Sequence, residues 1–404
     1  MKSEWKSSTI GEACLLVTDG SHSSPKSTDT GEYMVSVKDF TPYGFDFSSC
    51  KRISSEDYAA LKRNGCVPKV GDILVGKDGA RYFEDIIIYD QPEHPALLSS
   101  IAILRCNPQE IVSEFLYYLM KTPSFKQDVR DNYGSGSAIP RIILKDFKRM
   151  PIQYPAIDEQ EKICSLLSRI DGKIKVNIQI NDNLQQQAAA IFRSWFVDCD
   201  PFGGQAPDEW KNVTLEDITA LVSRGITPKY TDDTDQIVIN QKCIRNHTID
   251  LSLTRTHTPK VINEKWLRFG DLLINSTGDG TLGRAAQVWF QPKNLTVDSH
   301  VTIARPAKEN LIFYIGLWGI LHEKEIESLH TGSTGQTELP RDRVKAMELL
   351  LPDNDTLERF NALITPMAAA IVANQEENNR LAALRDVILP KLMSGEIDVS
   401  AIQL

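Results

Sequence analysis

The chain has 404 residues, enough for two or three domains, each with its own core. Its 41 % hydrophobic and 25 % charged content is that of an ordinary soluble protein. The net charge of −9 argues against a uniformly basic nucleic-acid-binding surface, although a local basic cluster can still bind phosphates on an acidic protein.

No apolar run approaches the ~20 residues of a membrane span, and the start MKSEWKSSTIGEACLLV lacks the layout of a signal peptide. Seven scattered cysteines without a C-x-x-C pair argue against a disulfide framework or a zinc knuckle, and for a reducing cytoplasm.

Residues 1–155 form a first globular segment. It opens on EWKSSTIGEA and mixes β-type runs (EYMVSV, DIIIYD, SIAILR) with the helical SEFLYYLMK, which is an α+β composition. Residues 71–78, GDILVGKD, miss the phosphate-loop pattern G-x-x-x-x-G-K-[ST] at the last position. Asp78 there would place negative charge where the pattern needs a metal-holding hydroxyl. The expected arrangement is a turn, a buried strand Ile73-Leu74-Val75, and an outward loop from Lys77 to Arg81.

A helical stretch then runs from Ile157 to about Val197, within a central segment 156–200. Its apolar positions Ile163, Leu167, Ile170, Ile174, Leu184, Ala188, Ile191 and Trp195 alternate in steps of four and three. That is a coiled-coil seam, with Asn177 and Asn181 at its centre. VDCDPFGGQAP at 197–207 has the glycines and prolines of a linker.

Residues 201–352 repeat the plan of the first segment. EWKNVTLEDI, GITPK, GDLLINSTGDG, SHVTIAR and GSTGQTELPR answer EWKSSTIGEA, GSHSSPK, GDILVGKDGAR, SSIAILR and GSGSAIPR, in the same order at offsets of 198 to 205. Five matches at a nearly constant offset mean duplication. In the second copy Asn275 and Ser276 replace Gly76 and Lys77, which removes the phosphate-loop pattern altogether.

The final segment, 353–404, repeats the seam at an offset of 197, with Phe360, Ile364, Met367, Ile371, Leu381, Arg385, Ile388 and Leu392. Its asparagines are Asn374 and Asn378. Two helices of ~40 residues, ~60 Å each, thus share one register. Duplicated halves tend to pack about a pseudo-twofold, so the helices are expected antiparallel, with Asn177 near Asn378 and Asn181 near Asn374. Buried asparagine layers cost stability but specify register. Pro366 and Pro390 are each expected to kink or fray the second helix.

No catalytic constellation emerges. The acids and lysine of PDEWK at 207–211 read as a domain-opening turn, NYGSGS at 132–137 lacks a βα context, and the seven histidines show no metal spacing. No catalytic residue, metal site or cofactor is expected in this chain.

Taken together, the EWK openings, VGDILV and FGDLLI, GSGSAIPR and GSTGQTELPR, IDEQEKI, IFRSWFVDCDPFGG and ILPKLMSGEIDV resemble the DNA-specificity subunit of type I restriction-modification systems along the whole chain. The resemblance implies an α+β fold with two similar target-recognition domains separated by two long antiparallel coiled-coil helices. It implies a non-enzymatic subunit that reads a bipartite, asymmetric target in double-stranded DNA. Its partners would be two methyltransferase subunits and motor-nuclease restriction subunits, with S-adenosylmethionine, ATP and Mg carried by those partners.

Polar loops that recur in both copies are the expected DNA contacts, since phosphates take Lys, Arg, hydroxyls and backbone N–H groups while base edges take Arg, Asn, Gln and Lys. In the first segment these are Ser23, Lys26, Lys77, Arg81, Ser135, Ser137 and Arg141. In the second they are Thr227, Lys229, Asn275, Ser276, Thr277, Arg284, Ser333, Thr334, Gln336 and Arg341. The acidic excess is weighted toward the helical segments: 7 acids against 5 bases in 156–200 and 8 against 4 in 353–404, compared with 20 against 19 and 19 against 17 in the globular segments. A coiled-coil scaffold for protein or glycan partners, or a nucleotide-binding enzyme using residues 71–78, are the alternative readings.

Overall fold

The structure is a computed structural model that describes residues 5–79, 81–134, 140–278, 280–332 and 337–399. The chain divides into two compact units, Met1–Lys175 with Asn379–Leu404, and Val176–Asn378. Each therefore contains one globular segment and a part of both long helices.

In the first unit the central sheet is built from β1 (Cys14–Asp19), β2 (Ile73–Gly76), β3 (Ile86–Ile88) and β4 (Ile101–Cys106). All neighbours are antiparallel, in the order β1-β4-β2-β3. The side-chain period of two divides β2 and β4 between two cores. Ile73, Val75, Ala102 and Leu104 pack with Phe115 and Phe147 on one face, while Leu74, Ile101 and Ile103 pack with Val35, Phe45 and Tyr89 on the other. An apolar run without alternation is thus what a strand covered on both faces requires.

The second unit repeats this with β5 (Thr219–Arg224), β6 (Leu272–Asn275), β7 (Ala285–Gln287) and β8 (Val301–Pro306), in the order β5-β8-β6-β7. The registers correspond residue for residue. Ile73, Leu74, Val75 and Gly76 oppose Leu104, Ile103, Ala102 and Ile101, as Leu272, Leu273, Ile274 and Asn275 oppose Ala304, Ile303, Thr302 and Val301. A small three-stranded sheet recurs too: Lys51–Ile53, Glu32–Val35 and Ala96–Leu97 in one unit, Arg255–Thr256, Ile237–Ile239 and Leu295–Val297 in the other. Each EWK opening leads into a strand that closes its module, Lys6–Thr9 against Pro151–Tyr154 and Lys211–Thr214 against Glu348–Leu351. The duplication inferred from the sequence is a duplication of topology.

Two helices of 40 residues follow the modules, Ile157–Phe196 and Asn354–Met393. The expected seam is the inward face. Ile163 and Leu167 are buried with Leu389 and Leu392 in the first unit, and Ala188 with Phe360, Ile364, Ala368 and Ile371 in the second. Asn177 Nδ2 donates to Asn378 Oδ1 at 2.9 Å and Asn374 Nδ2 to Asn181 Oδ1 at 2.8 Å, which makes the pairing antiparallel. Arg385 also sits on the seam, where it meets Asp171 at 2.9 Å.

Two local expectations are corrected. The second helix runs unbroken through Pro366 and Pro390. Pro366 lies on an exposed stretch, where water can take the hydrogen-bonding role its missing N–H leaves open, and Pro390 falls in the last turn. The stretch after the first helix is packed rather than loose: a short turn at Asp200–Phe202 places Phe202 edge-on to Trp195 and Trp210.

Candidate nucleic-acid interface

Three recurring loops converge at one end of each central sheet. The first leaves the sheet through a glycine with no room for a side chain. A Cβ on Gly20 would stand 2.3 Å from the Leu97 carbonyl oxygen, and one on Gly225 1.9 Å from that of Val297. The close approach allows the next residue's N–H to reach the same carbonyl, Ser21 to Leu97 at 2.7 Å and Ile226 to Val297 at 2.9 Å. The chain is thereby turned into the GSHSSPK and GITPK loops.

The second loop follows β2 or β6, and the third, which ends in Pro-Arg, is stitched to it by the backbone. Ile142 N–H donates to Lys77 O and Gly79 N–H to Pro140 O; in the other unit Leu339 N–H donates to Ser276 O, and Thr277 bridges Glu338. Arg224, at the end of β5, joins the second set by pairing with Glu338 and donating to Leu339 O at 2.9 Å.

At the expected contact positions the structure separates surface groups from structural ones. Ser23, Lys26, Arg81, Arg141, Thr227, Lys229 and Arg341 are exposed. Arg81 pairs with Asp85 at 2.9 Å, and Arg341 lies 3.6 Å from Asp342. Thr277 and Arg284 are half-buried, the former with its hydroxyl 2.7 Å from His300 Nδ1. Ser135, Ser137, Ser333, Thr334 and Gln336 lie outside the described residues.

Three positions do not face outward, contrary to expectation. Lys77 is only 6 % exposed and its ammonium stands between Asp19 (3.3 Å) and Asp78 (3.5 Å), because a buried cation needs paired charge. Asn275 is fully buried, with its amide donating to the carbonyls of Gln241 (3.0 Å) and Thr281 (3.1 Å). Ser276 is fully buried against the Thr302 hydroxyl at 2.6 Å. These side chains hold the loops rather than extend from them. The phosphate-loop reading falls with Lys77, whose following residues lead through a turn into β3 instead of a helix.

The ion pairs at the opposite end of each central sheet were not among the residues expected from sequence. Asp72 and Arg105, and Asp271 and Arg305, are matched pairs, and the arginine ends both SSIAILR and SHVTIAR; the aspartate of each GD has the local signature of a turn former only. Two lysines of the small sheets or their flanks were likewise unexpected. Lys51 Nζ donates to Ser24 Oγ (2.7 Å) and to Pro25 O, and Lys260 Nζ to Thr227 O (2.8 Å), so each holds a Pro-Lys loop. No group of three or more His, Cys, Asp or Glu side chains arranged to hold a metal occurs among the described residues. No described helix is long and apolar enough to cross a membrane.

Residues 2–186 match the family model of the type I restriction modification DNA specificity domain. The chain is 27 % identical over 317 residues to the MjaIX type I restriction enzyme specificity subunit of Methanocaldococcus jannaschii, covering 72 % of this chain and 70 % of that one. It is 21 % identical over 432 aligned residues to the HindI specificity subunit of Haemophilus influenzae, covering 87 % and 90 %. Its fold is similar to that of the type I restriction-modification system S subunit from M. genitalium, with a TM-score of 0.52 at 14 % identity, covering 97 % and 96 % of the two chains. Residues 2–186 thus match the type I restriction modification DNA specificity domain, and over most of its length the chain is similar to specificity subunits of type I restriction enzymes.

Proposed function

We propose that each module reads one half of a bipartite, asymmetric site in double-stranded DNA, and that the long helices dock two methyltransferase subunits. Motor-nuclease subunits join that core, the complex works in the cytoplasm, and S-adenosylmethionine, ATP and Mg belong to the partners. This chain selects the site and performs no chemistry itself.

The observation that carries this reading is the same sheet, with the same three converging loops, built twice with different residues on the loops. Modules alike in scaffold and unlike in surface suit two unlike half-sites. Lys26, Arg81 and Arg141 in one unit, and Lys229, Arg284 and Arg341 in the other, supply cations for phosphates.

The test is retention on duplex DNA of the chain assembled with its methyltransferase subunits, followed by mapping of the methylated bases. Retention that falls steeply with salt, and methylation confined to one interrupted, non-palindromic sequence, are expected. Methylation without sequence preference would overturn the proposal.

A further inference from the structure

Arg255 lies on the outer strand of the second unit's small sheet, opposite Val238. Its guanidinium carbon stands 3.5 Å from the centre of the Tyr230 ring, a stacking distance that fixes the plane of the group and leaves its donor edge free. Among the described residues its side chain makes no hydrogen bond or ion pair. The ring-stacked arginine of the first unit's small sheet, one register step away, differs. Arg52 stacks on Tyr33 at 4.2 Å but spends its donors on Gly31 O (2.7 Å) and the Tyr33 hydroxyl (2.8 Å).

The surroundings of Arg255 are held as one surface. Tyr230 and His257 form an antiparallel bridge, Thr258 N–H donates to Lys229 O at 2.8 Å, and Lys260 ties to Thr227 O. Next to Lys260, Val261 and Ile262 are 86 % and 60 % exposed. Exposed ammonium groups beside a flat, uncommitted guanidinium and two exposed aliphatic side chains make a mixed surface rather than a purely electrostatic one. Asp232 and Asp233, exposed just after Tyr230, disfavour a phosphate at this point. A neutral base edge carries no such penalty, and the two acceptors of guanine, O6 and N7, match the fork of an arginine.

Resting on the DNA-recognition role above, we propose that Arg255, held flat by Tyr230, reads a guanine in the half-site of the second unit. Lys229 and Lys260 take the neighbouring phosphates, and Val261 and Ile262 lie against the apolar parts of the groove.

The test is selection from duplexes with randomised positions, using the full chain assembled with its methyltransferase subunits. Arg255→Ala is expected to lose discrimination for guanine at one position by about tenfold to a hundredfold while preferences elsewhere persist. Arg255→Lys, which keeps the charge and most of the stem, should lose the same preference because an ammonium lacks the fork. Lys229→Ala should weaken all sequences alike and reduce the salt slope by about one.

Uniform weakening by Arg255→Ala with a shallower salt slope would make Arg255 a phosphate contact and overturn the proposal, as would an unchanged preference in both Arg255 variants. A wild-type assembly that selects no sequence would overturn the recognition role itself, and this inference with it.

Discussion

Asp271 holds Arg305 in a two-pronged contact inside the second unit, Nε to Oδ1 at 2.8 Å and Nη2 to Oδ2 at 2.7 Å, with the side chains 1 % and 8 % exposed. Arg305 also donates to the carbonyls of Glu264 and Trp266, both at 2.8 Å. The pair therefore joins the turn before β6 to β8 and to the segment ahead of it. Asp72 and Arg105 repeat the fork at the same distances, with Arg105 27 % exposed.

Removing one partner of a buried pair strands the other charge, so Arg305→Ala should destabilise the second unit by about 3–5 kcal/mol. Arg105→Ala should cost less, because water reaches that pair. Urea unfolding followed by tryptophan fluorescence checks the order, since Trp5 packs against the core of the first unit while Trp266 and Trp289 report on the second. Equal effects would show that exposure does not govern the pair.

The helix seam contains a second pair with an instructive counterpart. Asp171 and Arg385 correspond, at the 197-residue offset, to Ala368 and Ala188, which are buried on the seam of the other unit. Single Asp171→Ala and Arg385→Ala variants should each lower stability, while the double variant recovers part of the loss. The expected coupling is about 1–3 kcal/mol in a thermal-unfolding cycle. Additive losses would mean that the two charges act separately. The Tyr118 hydroxyl, which donates to Asp171 at 2.9 Å, is the contact that the Asp171 variants lose in addition.

The asparagine layers are expected to trade stability for register. Asn374→Leu removes the donor to Asn181 Oδ1 and leaves a buried acceptor unmet, a loss of about 1–3 kcal/mol. Replacing Asn181 and Asn374 together by leucine should raise the melting temperature above that of the single variant, and broadened helix amide signals would report the loosened register. A single variant as stable as wild type would exclude the interhelix bond as a stabilising element.

One ion pair predicts a pH dependence. The bond to Glu323, at 3.2 Å, raises the His247 pKa above its ordinary value of 6.5, against the opposing effect of burial. A folded value above the unfolded one means that the pair stabilises fully below about pH 6.5 and loses that contribution as pH rises through the folded value. The melting-temperature advantage of wild type over His247→Gln should therefore shrink between pH 6 and pH 8. A difference that does not change with pH would show that the pair is not charged in the folded protein.

Much of this architecture is legible in the chain itself, for reasons that can be named. Duplication preserves motif order, so GDILV and GDLLI by themselves specify two equivalent strands. A heptad seam is local and periodic, so Asn177, Asn181, Asn374 and Asn378 can be paired by arithmetic alone, and both interhelix bonds form as that arithmetic requires.

What only the tertiary structure decided is which polar side chains face water. Lys77, Asn275 and Ser276 stand in polar loops with the composition of a binding surface, yet each is buried, with its donors turned inward. Whether a polar group is a contact or a strut depends on partners distant in sequence: Asp19 for Lys77, Gln241 for Asn275, Thr302 for Ser276. Arg255 shows the converse. Nothing in its neighbours along the chain marks it, and only the packing of Tyr230 beside it leaves a flat guanidinium with unspent donors. Local periodicity is written into the order of residues, whereas burial is a property of the folded chain as a whole.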